Sequence, residues 1–190
     1  MPDGRLYYVI GASGSGKDSI MGWARAQLAG HAGIVFAHRY ITRPAAAGGE
    51  NHVALTEAEF DARLAAGLFA MHWGSHGWRY GIGNEINLWL ARGLTVVLNG
   101  SRAYLGGATA IYPGLTPVLI DVSPEILRQR LLARGRETPE RITQRIERAS
   151  TFADPNHPDA VRICNDADLD FAGRAFVNLL LAGQRQHACG

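Results

Sequence analysis

Eight consecutive residues, Gly11-Ala12-Ser13-Gly14-Ser15-Gly16-Lys17-Asp18, have the types and order that phosphate chemistry needs. Glycines let backbone N–H groups converge on one concavity, and a lysine at its end supplies a mobile point charge. Lys17 is the only lysine among 19 basic residues; every other one is arginine. A compact ammonium on a flexible stem has been kept where it suits a phosphate. Asp18 stands where such loops carry a hydroxyl for magnesium, which makes it the candidate metal ligand. Ser19 lies one residue further, about 100° around a helix, and cannot simply take that place. A plain glycine-rich turn is the other reading of this stretch, and the lone lysine speaks against it.

Further charge is spread along the chain in small groups. His38-Arg39-Tyr40-Ile41-Thr42-Arg43-Pro44 and Gly49-Glu50 read either as a solvated loop or as an anion clamp. Asn99-Gly100-Ser101-Arg102 follows an apolar run and should face any ligand at the strand ends. Arg130 and Arg134 are four apart, so a helix would set them on one face, and Arg145 follows on the next segment. No paired acid and base stands out.

The elements that must position these residues are legible around them. Leu6–Ile10 is an apolar strand before the glycine loop, and a helix follows to about Leu28. Ile34–Ala37, Leu94–Leu98, Val118–Val122 and Val161–Asn165 are further apolar strands of the kind buried in a parallel sheet. Thr56-Glu57-Ala58-Glu59 is a capping box, Asn84 is expected to cap a helix that runs to Arg92-Gly93, and Ser123-Pro124-Glu125 opens another. Leu68–Trp73 and Trp78–Tyr80 read as two strands around a turn, with Trp73, Trp78 and Tyr80 either a small satellite core or part of a site. Helices from Thr138 and from Leu169 to Ala182 complete an α/β order. The expectation is a doubly wound parallel sheet in a single domain over 1–190, with an insertion over about 38–83 and a helical lid over about 128–148.

Composition sets the outer limits. Hydrophobic residues make up 47% and charged ones 19%, the balance of a globular protein. A net charge of +2 points to neither nucleic acid nor a membrane as partner. No apolar run reaches the roughly 20 residues of a membrane span, and the first strand begins too early for a signal peptide. Cys164 and Cys189 form no metal-spaced pair, in keeping with a reduced cytoplasmic compartment.

With these motifs placed, the chain resembles the guanylate kinase-like branch of the P-loop kinases along nearly its whole length. Ile41-Thr42-Arg43-Pro44 with Gly49-Glu50 resembles the acceptor-binding segment, and His76-Gly77-Trp78-Arg79-Tyr80-Gly81 the turn whose tyrosine, here Tyr80, contacts the acceptor phosphate. Arg130 to Gly135 with Arg145 resembles the lid, and Asn165-Asp166 the segment near the adenine. Three departures matter. Met71 stands where guanylate kinases place a guanine-reading glutamate, Ile82 where they place a hydroxyl, and Arg39 where they place a serine. A site that must hydrogen-bond a base loses orders of magnitude without its partners.

Together with Lys17-Asp18-Ser19 and Asn99-Gly100-Ser101-Arg102, these departures are similar to ribose 1,5-bisphosphate phosphokinases. That resemblance implies ATP and Mg2+ as cofactors and a phosphorylated sugar as acceptor. It places phosphate binding on Gly11 to Ser19, catalysis on Lys17, Arg130, Arg134 and Arg145, and acceptor binding on Arg39, Arg43, Glu50, Tyr80, Asn99 and Arg102. The one protein partner it leaves open is a second copy in a homodimer. A nucleoside monophosphate kinase of altered base preference and a non-catalytic guanylate kinase-like interaction module remain the alternatives at this point.

Overall fold

Strand β1 (Arg5–Gly11) carries five consecutive buried residues, because it lies in the middle of a sheet covered on both faces. The computed structural model describes residues 4–45, 52–135, 138–151 and 157–185. After β1 come α1 (Lys17–Gln27), β2 (Ile34–Phe36), β3 (Arg39–Ile41), β4 (Val53–Ala54) and α2 (Glu57–Ala65). The hairpin β5 (Phe69–Ser75) and β6 (Trp78–Gly83) follows, then α3 (Glu85–Ala91), β7 (Thr95–Asn99) and α4 (Leu105–Ile111). Finally come β8 (Thr116–Asp121), α5 (Pro124–Arg134), α6 (Pro139–Thr151), β9 (Val161–Cys164) and α7 (Leu169–Arg185).

The main sheet has five parallel strands in the order β2-β7-β1-β8-β9. Side chains alternate across a strand, so β1 divides its residues between two cores. Leu6, Tyr8 and Ile10 pack with Ile86, Leu105 and Ala108 on the side of α3 and α4. Tyr7 and Val9 pack with Ile20, Ala24, Phe176 and Leu180 on the side of α1 and α7. This is the expected doubly wound α/β arrangement, and it brings the C-terminal ends of β1, β7 and β8 to one edge.

The insertion forms its own four-stranded sheet in the order β4-β3-β6-β5. The β5–β6 turn has positive φ at both His76 (51°) and Gly77 (78°), the geometry that matches the twist of a two-residue hairpin. The Thr56 capping box is complete: Glu59 N–H donates to the Thr56 hydroxyl at 3.2 Å, and Thr56 N–H donates to the Glu59 carboxylate at 2.7 Å.

Three local readings of the sequence need correction. Asn84 sits before α3 without capping it; its backbone is helical and its side-chain amide donates to the Gly67 carbonyl instead. The 38–44 stretch is not all loop, since β3 runs through it between β4 and β6. The segment after Arg102 holds a helix, α4, which the sequence reading did not place.

Candidate active site

The glycine loop joins β1 to α1 and turns tightly, with Ser15 N–H donating to Ala12 O at 3.0 Å. Gly14 (φ 99°) and Gly16 (φ 86°) take the left-handed conformation, which a side chain would strain. Helix α1 begins at Lys17, so the N–H groups of its first turn have no intrahelical acceptor, and the dipole adds positive charge there. Loop and helix start together form a cradle for an anion. Ser15 is fully buried, and its hydroxyl oxygen has no hydrogen-bond partner.

Lys17, Asp18 and Asn99 close into one cluster at the mouth of this loop. Lys17 Nζ lies 3.1 Å from Asp18 Oδ1 and donates to Asn99 Oδ1, while Asn99 Nδ2 donates to Asp18 Oδ1 at 2.8 Å. Asn99 is 4% exposed and is the last residue of β7, paired in register with Val9 of β1. Partial burial pushes the Asp18 carboxyl upward, but the Lys17 charge and hydrogen bond, the Arg39 charge and the Asn99 hydrogen bond outweigh it. The net direction is below the ordinary carboxylate value. A depressed folded pKa makes the ionised cluster stabilising above the ordinary carboxylate range, and that contribution is lost as pH falls through the lowered value.

Arg130 braces the loop from α5. Its Nη1 donates to Ser15 O at 3.4 Å and its Nη2 to Asn165 O at 2.8 Å, and Asn165 Nδ2 donates to the same Ser15 carbonyl at 2.6 Å. Arg145 is half-buried on α6. Arg134 ends α5, but its side chain lies outside the described residues, as does Glu50. Arg102 Nη1 donates to Ala149 O of α6 at 3.4 Å. Between the loop, the end of β8 and α6 runs a cleft of about 340 Å³, lined among others by Ala12, Arg102, Val122 and Ile146.

The register of the small sheet sets the acceptor side. Arg39 pairs with Ile82, which pairs with Met71; Ile41 pairs with Tyr80, which pairs with Trp73. All six therefore share one face. Met71 and Ile82 are 1% and 0% exposed and join the core with Ile41. The Arg39 guanidinium lies 5.0 Å from the Tyr80 ring centroid, and its charge acts on both Asp18 and Tyr8. Arg39 thus belongs beside the Lys17 cluster. Arg43, just past β3, is half-buried, with its Nε buried and without a hydrogen-bond partner among the described residues.

One contributor escaped the sequence reading. Tyr8 is fully buried in β1, where its ring reads as ordinary core. Its hydroxyl donates to Ser101 O at 3.1 Å and accepts from Ser101 N–H at 2.9 Å. Burial pushes this phenol up to about 12, only partly offset by the Ser101 backbone hydrogen bond, so it stays neutral at any working pH. It fixes the turn that carries Asn99 and Arg102. The only sequence signal was a phenol in the middle of an apolar strand, which must find a polar partner.

Among the described residues, no three His, Cys, Asp or Glu side chains gather into a metal cage. One carboxylate beside a phosphate cradle is nevertheless the donor set that magnesium commonly uses, because phosphate oxygens and water supply the rest. Asp18 and Asn99 fit that role by chemistry and position.

Comparison with known proteins finds relatives described as ribose 1,5-bisphosphate phosphokinases and a solved structure of a guanylate kinase. The ribose 1,5-bisphosphate phosphokinase PhnN of Thiobacillus denitrificans is 63% identical over 180 residues, 95% of this chain and 94% of its own. Its namesake in Desulfomicrobium baculatum is 56% identical over 177 residues, 93% of this chain and 94% of its own. Guanylate kinase from Anaplasma phagocytophilum matches in structure with a TM-score of 0.68, covering 97% of this chain and 88% of that one. At 16% identity that likeness concerns the fold alone. No family model matches the chain.

Proposed function

Since the chain belongs to the ribose 1,5-bisphosphate phosphokinase family, we propose that it transfers the γ-phosphoryl group of ATP to ribose 1,5-bisphosphate. The products are ADP and 5-phospho-α-D-ribose 1-diphosphate. The observation that carries this reading is the acceptor face. On it Met71, Ile82 and Ile41 are buried and have nothing to offer the edge of a base, while the Arg39 charge acts on Asp18 of the Lys17 cluster. A face that offers charge and no base reader suits an acceptor made of phosphates and sugar.

The chemistry asks mainly for positioning and charge neutralisation. The loop N–H groups hold the ATP phosphates, and Lys17 meets the γ-phosphate. Arg130 keeps Ser15 and Asn165 in place, and Arg145 closes from α6 over the transferring group. Arg39, Arg43 and Tyr80 hold the 5-phosphate. An oxygen of the 1-phosphate attacks the γ-phosphorus, and the bond to the oxygen shared with the β-phosphorus breaks. That attacking oxygen is already ionised at neutral pH, so no general base is required.

Magnesium, bound by Asp18 with Asn99 as a neutral partner, would offset charge on the β- and γ-oxygens. Asp18→Ala is accordingly expected to raise the magnesium needed for half-maximal rate by about tenfold or more. An unchanged magnesium titration would remove Asp18 from this role. The reading as a whole is tested by phosphorus NMR of a reaction with ribose 1,5-bisphosphate. A new diphosphate at C1 supports it, and ADP with inorganic phosphate alone contradicts it.

A further inference from the structure

Four side chains run in face-to-face contact across the acceptor side. The Arg39 guanidinium covers Tyr80 at 5.0 Å; Tyr80 stacks on Trp73 with centroids 5.6 Å apart and planes 3° apart. Trp73 stacks in turn on Tyr104, at 5.3 Å and 20°. The two ends belong to different parts of the molecule. Arg39 is on β3 of the small sheet, whereas Tyr104 ends the 3-10 turn Arg102–Tyr104 that follows β7. That second end is anchored: Tyr8 bridges both backbone groups of Ser101, and Asn99 in the same turn holds Lys17 and Asp18. Trp73 and Tyr80 are 8% and 7% exposed, so the stack has no room to tilt.

We propose that this row of rings is a spacer, in which Trp73 sets the distance from the acceptor anchor at Arg39 to the transfer centre at Lys17. It rests on the reading above, that Arg39 holds one phosphate of the acceptor while Lys17 meets the group being transferred. A flat ring has two side-chain torsions, so one packed between neighbours is a rigid contact held at low conformational-entropy cost. A rigid separation selects an acceptor whose two phosphates are the right distance apart. It rejects a longer or shorter one even when its charge is the same. Trp73 is on this account a positioning residue, acting through Tyr80 on Arg39.

The test replaces Trp73 by leucine, which keeps an apolar filling and removes the stack, and by phenylalanine, which keeps an aromatic face. Displacing Arg39 weakens its charge-assisted contact with the acceptor phosphate, so Trp73→Leu is expected to raise the KM for ribose 1,5-bisphosphate about tenfold or more. The ATP KM should stay within about twofold, and Trp73→Phe should recover most of the acceptor KM. A packing role alone would lower the active fraction, reducing kcat with both KM values unchanged, and that result overturns the spacer. So does a parallel rise in both KM values, or an unaltered acceptor KM in the leucine variant. If the wild-type protein fails to use ribose 1,5-bisphosphate at all, the functional reading falls and the spacer falls with it.

Discussion

Lys17→Ala is expected to lower turnover by at least about two orders of magnitude while leaving the protein folded. The ammonium sits at the start of α1 between Asp18 and Asn99, with its side chain 13% exposed. A charge held that firmly needs no reorganisation when negative charge shifts during transfer, so its effect is concentrated in the transition state. Removing it also leaves the Asp18 carboxylate without its nearest cation, and that unneutralised charge works against the ATP phosphates. The measurement is kcat at saturating ATP, paired with a melting curve. Near-normal kcat in a folded variant would show that the glycine loop is not where transfer occurs.

Arg39→Ser has the next largest expected effect, and it separates the two substrates. The substitution removes the cation that covers Tyr80 and bears on Asp18. Charge-assisted, bidentate contact with a phosphate is among the stronger interactions an arginine makes. The KM for ribose 1,5-bisphosphate should rise by about tenfold to a hundredfold, with the ATP KM nearly unchanged. Steady-state kinetics with each substrate varied in turn gives the answer. A rise in ATP KM of equal size would place Arg39 on the nucleotide and move the acceptor anchor elsewhere.

What the sequence allowed to be read, and what it hid, follows from the physics of each element. The β1–loop–α1 unit was legible because an apolar run, three glycines and a lysine leave few other conformations. Strands β7 and β8 were legible because a sheet covered on both faces demands unbroken apolar runs. Strands β3 and β4, of three and two residues, were not, since so short a piece has no periodicity and owes its form to pairing with β6 and with each other. Helix α4 contains Gly106 and Gly107, poor helix formers, and is held by burial of Leu105 and Ala108.

The site shows the same division. Lys17 and Asp18 adjoin in the loop and Asn99 was expected at the strand ends beside it; in the structure the three touch. Met71 was singled out as an absent base reader, and its burial in the core agrees with that. The turn clamped by Tyr8 and the row from Arg39 to Tyr104 depend on contacts between residues far apart in sequence, which no spacing rule encodes. Arg130 was expected over the transferring phosphate; in the structure it ties α5 to the loop backbone through Ser15 and Asn165.

The acceptor is the centre of this account, and one comparison tests it most directly. Purified wild-type protein is assayed for ADP release with ATP and magnesium against ribose 1,5-bisphosphate and against GMP, under identical conditions. The account predicts kcat/KM for ribose 1,5-bisphosphate at least about a hundredfold above that for GMP, because Met71 and Ile82 leave the guanine edge unread. Faster phosphorylation of GMP would contradict it.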